Sequence, residues 1–303
     1  MKLIMLTTYQ QVISCHQLHE LIFSTSTPDL ISTVNSEEPK KNLIILDASI
    51  PAVGQMNQPE KQWPDFSLPN AQRFDLNKNF SDLSNPLPHT MPSSEYFQQQ
   101  ANALGITNDA QIIVYDDQGL FSAARAWYMF KSMGHKNIAI LDGGLPEWLK
   151  SGFPVSSAKS SPIEIGNFTA KFSKEYFCNS DDIYNQLDSD ENIIVDARAG
   201  ARFKGKVAEP RKGVRRGHIP NSVNLPFSDL LKNGVLLPKN ILEKKFKKIN
   251  IQDKPMIMSC GSGVTACVLA LTAEICGYQQ MKVYDGSWSE WGANIILPVS
   301  IAE

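Results

Sequence analysis

Long apolar runs are absent from the sequence. No stretch reaches the roughly 20 apolar residues that a membrane-spanning helix needs. The apolar residues that begin at Leu3 are interrupted at Thr7, so this segment is shorter than the apolar core of a secretory signal. We therefore expect a cytoplasmic protein that has no membrane partner.

Cysteine is scarce, and neither sign of charge dominates. The chain has five cysteines in 303 residues, an odd number at irregular spacing, which disfavours a disulfide framework. No Cys-x-x-Cys pair or His-x-x-x-His pair occurs, so we expect no metal and no cofactor. The formal net charge is −2, which gives no basic field for nucleic acid. Any site for an anion must therefore be local.

What the chain does contain is an internal repeat. Ile112–Trp148 and Met256–Trp291 each read as an apolar strand, a glycine-containing loop and a helix that ends at a glycine. A second strand then leads to Asp-Gly and on to a tryptophan. One gap aligns the two stretches and places Asp116 opposite Cys260.

The repeat predicts two tandem α/β domains, each with a mostly parallel sheet and helices on both faces. The predicted strands are Leu43–Leu46, Ile112–Tyr115, Ile138–Leu141, Ile193–Val195, Met256–Ser259 and Met281–Tyr284. We divide the chain into a first domain at 1–155, a serine-rich linker at 156–168 and a second domain at 169–303. Ligands of such sheets bind beyond the carboxyl ends of the strands, where Cys260 lies.

The segment Ser259–Ala266 follows a predicted buried strand and opens a helix. Unpaired amides and the positive dipole end of a helix stabilise an anion, so this position suits a nucleophilic thiolate at Cys260. Gly261 and Gly263 allow backbone amides to approach that anion closely. The alternative is an inert packing cysteine, which is how we interpret Cys15, Cys178, Cys267 and Cys276.

A cysteine phosphatase would use a similar strand, loop and helix. It needs an arginine at the sixth position after the cysteine to bind phosphate through two parallel hydrogen bonds. Ala266 occupies that position here. We therefore reject phosphatase chemistry.

Several motifs together resemble the tandem-domain rhodanese-like sulfurtransferases. The second copy contains VDAR, RFKG, GHIPNSVNLPF, CGSGVT and GSWSEWG, and the first contains PLPHTMPS, VYDDQG, FSAARAWYMF and LDGGLPEW. The resemblance runs from about Val12 to the C-terminus. Within that family, the loop CGSGVTAC looks like that of the 3-mercaptopyruvate sulfurtransferases.

The resemblance implies a division of labour between the copies. The first domain is inactive, with Asp116 in place of the nucleophile, and Cys260 of the second domain carries sulfur as a persulfide. Basic residues follow the cysteine in thiosulfate-specific relatives, whereas Gly261 and Ser262 are neutral, which favours 3-mercaptopyruvate as the donor. The acceptor is a thiol, such as thioredoxin or glutathione, or cyanide. The loop residues Gly261, Gly263, Val264 and Thr265 would line the donor site.

A donor that carries a carboxylate needs a cation. Arg202 and Arg211 match the family's substrate-binding arginines, and guanidinium groups suit carboxylates. The alternative is a solvated basic face, because five further lysines and arginines crowd the same segment. Arg198 in VDAR is interpreted as structural, paired with a nearby carboxylate.

Ser262 and His89 are the remaining catalytic candidates. The resemblance implies that His89 reaches from the first domain towards the cysteine loop and forms a proton relay with Ser262. The family's acidic partner falls at Asn77 in this chain, so the relay is incomplete unless Asp75 takes the place of that partner. The alternative for His89 is an ordinary histidine in a surface loop. His218 is interpreted as a turn residue.

Two other functions stay open from the sequence. One is a thiosulfate:cyanide sulfurtransferase, and the other is a non-catalytic rhodanese-like module that binds a partner or senses oxidants through Cys260. The intact cysteine loop and Arg202 argue against the second. Two domains that each bury their own core predict a monomer.

Overall fold

The computed structural model describes residues 11–23, 42–51, 66–157, 164–189, 191–250 and 253–301. Within these ranges the chain forms two five-stranded sheets and two short antiparallel pairs of strands. Every strand pair inside the two large sheets is parallel. The fold is therefore α/β, as the repeat predicts.

The first domain contains the sheet β1-β6-β5-β2-β4. Its elements are β1 (Val12–Ile13), α1 (Cys15–Phe23), β2 (Leu43–Asp47), β3 (Phe66–Ser67), β4 (Ala71–Arg73), α2 (Ser94–Ala103), β5 (Gln111–Tyr115), α3 (Ala123–Ser132), β6 (Ile138–Leu141), α4 (Gly144–Lys150) and β7 (Ser156–Ser157). Strand β5 is buried along its whole length because helices cover both faces of the sheet.

The second domain repeats this strand order as β8-β14-β13-β9-β10. Its elements are β8 (Phe177–Cys178), α5 (Ser180–Tyr184), β9 (Ile193–Asp196), α6 (Gly200–Phe203), β10 (Val223–Asn224), a 3₁₀ turn (Phe227–Leu230), β11 (Leu231–Lys232), β12 (Val235–Leu236), α7 (Lys239–Ile249), β13 (Met256–Ser259), α8 (Ala266–Ile275), β14 (Met281–Tyr284) and α9 (Ser287–Trp291). The central strand β13 is fully buried and ends next to Cys260.

The predicted helix ends are confirmed. Helices α3 and α8 each stop two residues before a glycine, and Gly134 (φ +90°) and Gly277 (φ +97°) both take the left-handed conformation of a helix C-cap. The two helices occupy equivalent places in the two copies. They also face each other across the boundary between the domains.

One hydrophobic core crosses that boundary. Buried side chains of α3, including Trp127 and Phe130, belong to the same cluster as Val268 and Leu271 of α8. The Lys131 ammonium donates to the Glu274 carboxylate at 2.6 Å on the rim of this contact. Burial of this apolar surface stabilises the pair of domains as one unit.

The predicted linker is described only at its two ends, and residues 158–163 lie outside the described ranges. Ser156 and Ser157 form β7, which pairs with β3 of the first domain. At the other end the Phe168 amide donates to the Ile106 carbonyl at 3.1 Å, and the Phe168 ring is buried in the shared core. Both described ends of the segment thus lie against the first domain.

The hairpin of β11 and β12 belongs to the second domain but lies on the first. Its tip brings Gly234 against Gly119 in the loop that follows β5, and the Leu236 amide donates to the Asp142 carboxylate at 2.9 Å. The hairpin therefore covers the loop that corresponds to the cysteine loop of the second copy.

None of the helices in the described ranges is long and apolar enough to cross a bilayer.

Candidate active site

Cys260 lies in the wall of a cavity of about 220 Å³ between the two domains. The residue is only 2% exposed, which by itself would also suit a packing cysteine. The cavity is lined by residues of the first domain (Ile50, Pro51, His89, Gln118 and Phe121) and of the second (Ala197, Arg198, Ala199, Arg202, Arg211, Phe227, Cys260, Gly261, Ser262, Val264 and Thr265). A nucleophilic cysteine requires a pocket in front of its thiol, whereas a packing cysteine needs none. The cavity therefore favours a nucleophile at Cys260.

The start of α9 holds the cysteine loop in place. The Ser287 hydroxyl accepts the amides of Cys260 and Gly263, each at 3.1 Å, and donates to the Tyr284 carbonyl at 2.8 Å. The Trp288 amide donates to the Cys260 carbonyl at 3.0 Å. Ser287 adopts φ +49°, a left-handed conformation that costs a non-glycine residue about 1–2 kcal/mol. Its three hydrogen bonds offset this cost.

This arrangement corrects the predicted role of Gly263. The sequence favours an amide at Gly263 that faces the bound anion, but that amide donates to Ser287. Gly263 is also absent from the cavity wall, whereas Gly261, Val264 and Thr265 line it. At φ +73°, with the Asp285 carbonyl only 2.7 Å from where its Cβ would stand, Gly263 is required for the path of the loop.

The equivalent loop of the first domain shows how backbone amides can surround an acidic side chain. The Asp116 carboxylate, completely buried, accepts the amides of Gln118 at 3.0 Å, Phe121 at 2.7 Å and Ala123 at 2.9 Å. Burial raises the pKa of Asp116, and these amide hydrogen bonds oppose that effect. The alignment of the two copies places Ser262 opposite Gln118. An anion at the tip of Cys260 would meet a loop of the same design.

Two arginines stand over the cysteine loop. A Cβ on Gly261 would lie 3.4 Å from Nη2 of Arg202 and 3.7 Å from Nη1 of Arg211, so glycine lets both guanidinium groups approach the backbone. Nη2 of Arg211 donates to the Ser262 hydroxyl at 3.5 Å. Burial lowers the pKa of Arg211, and negative charge at Cys260 opposes that effect. The structure thus brings both predicted arginines to the cavity.

Glu209, to which the sequence assigns no role, divides the arginines into two kinds. Its buried carboxylate accepts from Arg198 at 2.9 Å and also from Arg202. Arg198 further pairs with Asp196 at 2.6 Å, as expected of a structural residue. Two carboxylates thus balance Arg198 and Arg202, whereas Arg211 forms no ion pair with any residue in the described ranges. Glu209 is the single acidic residue in the strongly basic segment 202–216, and this isolation was the signal in the sequence that could have revealed its role.

His89 connects the first domain to the cysteine loop. Its Nδ1 lies 3.0 Å from the Ser262 hydroxyl, and its Nε2 lies 2.8 Å from the Asn77 side-chain oxygen. Burial, helped by Arg211 and Arg125, lowers the pKa of His89 to about 3, so the ring is neutral at ordinary pH. The interpretation as a surface-loop histidine is therefore wrong.

Asn77 occupies the position beyond His89 where the family's acidic partner is expected. The nearby Asp75 carboxylate accepts the amides of Asn77 at 3.0 Å and Lys78 at 3.1 Å, which fixes a turn and leaves the contact with His89 to Asn77. His218 stacks on Phe203 and hydrogen-bonds its carbonyl at 2.8 Å, consistent with a turn residue.

The remaining cysteines are protonated packing residues. Burial raises the pKa of Cys15, Cys178 and Cys267 to about 12 and that of the half-buried Cys276 to about 11. All five cysteines are free of disulfides. Within the described part of the chain, no group of three or more histidine, cysteine or acidic side chains is arranged to hold a metal ion.

Comparison with known proteins supplies a family and named relatives. The profile of the rhodanese-like domain matches residues 32–151 and 179–294. The 3-mercaptopyruvate sulfurtransferase of Escherichia coli K12 is 40% identical over 259 residues, which cover 84% of this chain and 91% of that protein. Thiosulfate/3-mercaptopyruvate sulfurtransferase 1, mitochondrial, of Arabidopsis thaliana is 38% identical over 92% of this chain and 80% of its own length.

A solved structure resembles the chain over almost the same length. The crystal structure of SseA from Escherichia coli, described as one of the 3-mercaptopyruvate sulfotransferases, superposes with a TM-score of 0.78 at 32% identity. The match covers 92% of this chain and 99% of SseA.

Proposed function

The chain belongs to the family of rhodanese-like proteins, and on that premise we propose that it is a 3-mercaptopyruvate sulfurtransferase in which Cys260 carries the transferred sulfur. One observation carries the proposal: Cys260 opens onto a cavity that also presents Arg211, Ser262 and His89. A nucleophile, a cation and a proton-transfer pair are the groups that this reaction requires.

The reaction proceeds in two half-reactions. In the first, the Cys260 thiolate attacks the donor sulfur, the carbon–sulfur bond breaks, and its electron pair stays on the carbon as the enolate of pyruvate. The proton of the donor thiol ends on that carbon, which gives pyruvate and a persulfide anion on Cys260. In the second, an acceptor thiol attacks the outer sulfur and restores the Cys260 thiolate.

Arg211 supports a donor that carries one carboxylate. Because Asp196 and Glu209 already balance Arg198 and Arg202, Arg211 adds one net positive charge next to the nucleophile. That charge matches the single carboxylate of 3-mercaptopyruvate, which a guanidinium can bind through two parallel hydrogen bonds. Arg202 contributes its remaining N–H groups and is held in place by Glu209.

Ser262 and His89 suit the proton transfer. Because His89 is neutral, its Nδ1 can accept the Ser262 hydroxyl proton while its Nε2–H is donated to the Asn77 oxygen. We assign Ser262 as the group that takes the donor thiol proton and delivers it to the leaving carbon, with His89 behind it as base. The buried imidazole of His89 therefore carries no charge in the resting enzyme.

The function is tested by pyruvate and sulfide release from 3-mercaptopyruvate in the presence of a reducing thiol. We expect Cys260→Ser to lose turnover, because an alcohol at this position cannot form a persulfide. Cys276→Ser, at the far end of α8, is the matched control and should keep wild-type turnover. Turnover by Cys260→Ser at the wild-type rate would refute the proposal.

Thiosulfate is the second candidate donor, since the name of the Arabidopsis relative includes both donors. The neutral Gly261 and Ser262 leave only one unbalanced cation at the site, which favours a monoanion over the thiosulfate dianion. We therefore expect a higher kcat/KM for 3-mercaptopyruvate than for thiosulfate. The opposite order would reassign the donor.

A redox sensor without catalysis is separated from an enzyme by mass spectrometry. Incubation with 3-mercaptopyruvate should add about 32 Da, the mass of one sulfur atom, to the peptide that contains Cys260. Persistent absence of that adduct, with Cys260 intact, would favour the sensor.

The acceptor, the oligomeric state and the location belong to the same proposal. We propose a small thiol, a thioredoxin-like protein or cyanide as acceptor, and a monomer in the cytoplasm, where five free cysteines are expected. Turnover with each acceptor, sedimentation and cell fractionation test these three points. Recovery of the protein in mitochondria, the compartment given in the name of the Arabidopsis relative, would overturn the proposed location.

A further inference from the structure

Arg125 is a fully buried arginine of the first domain whose guanidinium reaches the second. It lies on α3 and pairs with the Asp285 carboxylate at 2.6 Å. It also donates to the carbonyls of His89 at 2.7 Å and Gly263 at 3.4 Å. Arg125 does not line the cavity, so it acts on the site only through other residues.

The backbone of Gly263 is the point where these contacts meet the cysteine loop. Its carbonyl accepts from Arg125 and from the Cys267 thiol at 3.2 Å, while its amide donates to Ser287. Because burial raises the pKa of Cys267 to about 12, that thiol stays protonated and donates. Hydrogen bonds therefore fix the peptide groups on both sides of Gly263, and with them the adjacent Ser262.

The same guanidinium fixes the segment that carries His89. Besides its own bond to the His89 carbonyl, Arg125 orients Asp285, whose second oxygen accepts the Met91 amide at 2.9 Å. His89 has φ +62°, a conformation that needs support from its surroundings. Arg125 thus anchors both partners of the His89–Ser262 contact at 3.0 Å.

We propose that Arg125 is a positioning residue through which the inactive domain sets the separation of His89 and Ser262 at the catalytic loop. This proposal rests on the proposed function, in which those two side chains move a proton. A displacement of about 1 Å between reacting groups can lower a rate by about a hundred-fold. The first domain is then required for turnover and not only for stability.

The chain offers a matched control for a purely structural role. Lys131 lies on the same helix and pairs with Glu274 of the second domain, but this contact is distant from the cysteine loop along α8. Lys131→Met removes an ion pair between the domains without touching the loop. If ion pairs on α3 serve only to hold the domains together, variants at both positions should affect turnover alike.

The test compares wild type with Arg125→Lys, with Lys131→Met and with the double variant Arg125→Met, Asp285→Asn. The double variant leaves no buried charge unpaired, and the new amide side chain at position 285 retains an oxygen for the Met91 amide. Thermal midpoints establish that each variant is folded. We then measure kcat and KM for 3-mercaptopyruvate, and the rate at which iodoacetamide alkylates Cys260 in a Cys276→Ser background.

For the double variant we expect kcat to fall by about ten- to a hundred-fold, with little change in KM, and Cys260 alkylation to slow or accelerate by several-fold. The compact lysine ammonium keeps the charge but cannot span the three acceptors as the planar guanidinium does, so Arg125→Lys should fall between wild type and the double variant. Lys131→Met should stay within about two-fold of wild-type kcat.

A folded double variant with wild-type kcat and alkylation rate would overturn the proposal, as would an equal loss in Lys131→Met. If the double variant does not fold, Arg125→Lys decides, since wild-type kcat in that variant also refutes the role. Alkylation needs no donor, so it reports on the loop even if wild type does not turn over 3-mercaptopyruvate. Absence of turnover by wild type would refute the proposed function but not the positioning role of Arg125.

Discussion

At the scale of single residues, the site depends on groups whose ordinary chemistry has been altered by burial. His89 is the clearest case, because the fold keeps a basic ring neutral between an amide and a hydroxyl. The unfolded chain binds a proton at His89 below pH 6.5, whereas the folded chain does so only near pH 3. The stability that this difference contributes is complete above pH 6.5 and is lost as the pH falls towards 3.

We predict that the free energy of unfolding of His89→Asn depends less on pH than that of wild type. Between about pH 6.5 and pH 4, the difference in slope should be about 1.4 kcal/mol per pH unit. Asparagine tolerates the left-handed backbone at this position. Urea unfolding at several pH values measures the slope for both proteins. Equal slopes for His89→Asn and wild type would contradict a neutral buried ring.

Ser287 is a second residue whose backbone strain has a local reason. Its counterpart in the first domain is Gly144, which has nearly the same φ, +52° against +49°. Glycine avoids the strain but lacks the hydroxyl that holds two amides of the cysteine loop.

We predict that Ser287→Gly lowers kcat about ten-fold and stability by about 1–2 kcal/mol, because two buried amides lose their acceptor. Ser287→Ala loses the same hydroxyl and keeps the strain, so it should be less stable by about a further 1 kcal/mol. Denaturant unfolding and steady-state kinetics measure both effects. An alanine variant as stable as the glycine variant would show that the backbone at 287 is relaxed.

At the scale of elements, the central strands could be predicted from the sequence almost to the residue. Met256–Ser259 and Ile138–Leu141 were found as predicted, because a strand buried on both faces is a continuous apolar run. The edge strands β1, β4, β8 and β10 could not, since two or three residues of mixed burial carry no periodic signal. The hairpin of β11 and β12 was missed for the same reason.

The site divides in a similar way. Cys260 and its glycines are evident from a local pattern, whereas His89 was identified only through family resemblance. Arg125 and Ser287 were missed because their roles depend on distant partners. Arg125 pairs with a carboxylate 160 positions away, although a charged residue surrounded in sequence by apolar residues at the start of α3 was a usable signal.

The contact between the hairpin and the first domain gives a prediction at this scale. Gly119 has φ +105°, and a Cβ there would lie 2.6 Å from the Gly234 backbone. We expect Gly119→Ala to lower stability by about 3 kcal/mol or more through strain and overlap. Gly213 also has a positive φ, +81°, but nothing lies within 4 Å of where its Cβ would stand. The control Gly213→Ala should therefore lower stability by only about 1 kcal/mol. Equal losses would mean that the hairpin does not press on this loop.

At the scale of the whole molecule, the two domains share one core and one site. The cavity is lined from both sides, and α3 and α8 bury their faces against each other. Separation of the two domains would therefore expose apolar side chains of α3 and α8 to solvent. The chain should therefore behave as a single thermodynamic unit despite its repeated sequence.

We predict a single thermal unfolding transition, with equal calorimetric and van't Hoff enthalpies. Lys131→Met should shift that transition down by about 1–2 °C without splitting it, because a partly exposed ion pair on the rim contributes at most about 1 kcal/mol. Differential scanning calorimetry measures both. Two resolved transitions, or a Lys131→Met scan that separates into two, would show that the domains unfold independently.

The buried carboxylate of Asp116 has a consequence for how the two copies have diverged. Its own loop amides surround it, and a hairpin from the other copy closes the space above it. A cysteine at residue 116 would lie as deep as Asp116 does, and among the described residues the hairpin covers it against a donor. If the first copy is inactive, as we propose, a single substitution at residue 116 would not restore a nucleophile that a donor can reach, because the hairpin would also have to move.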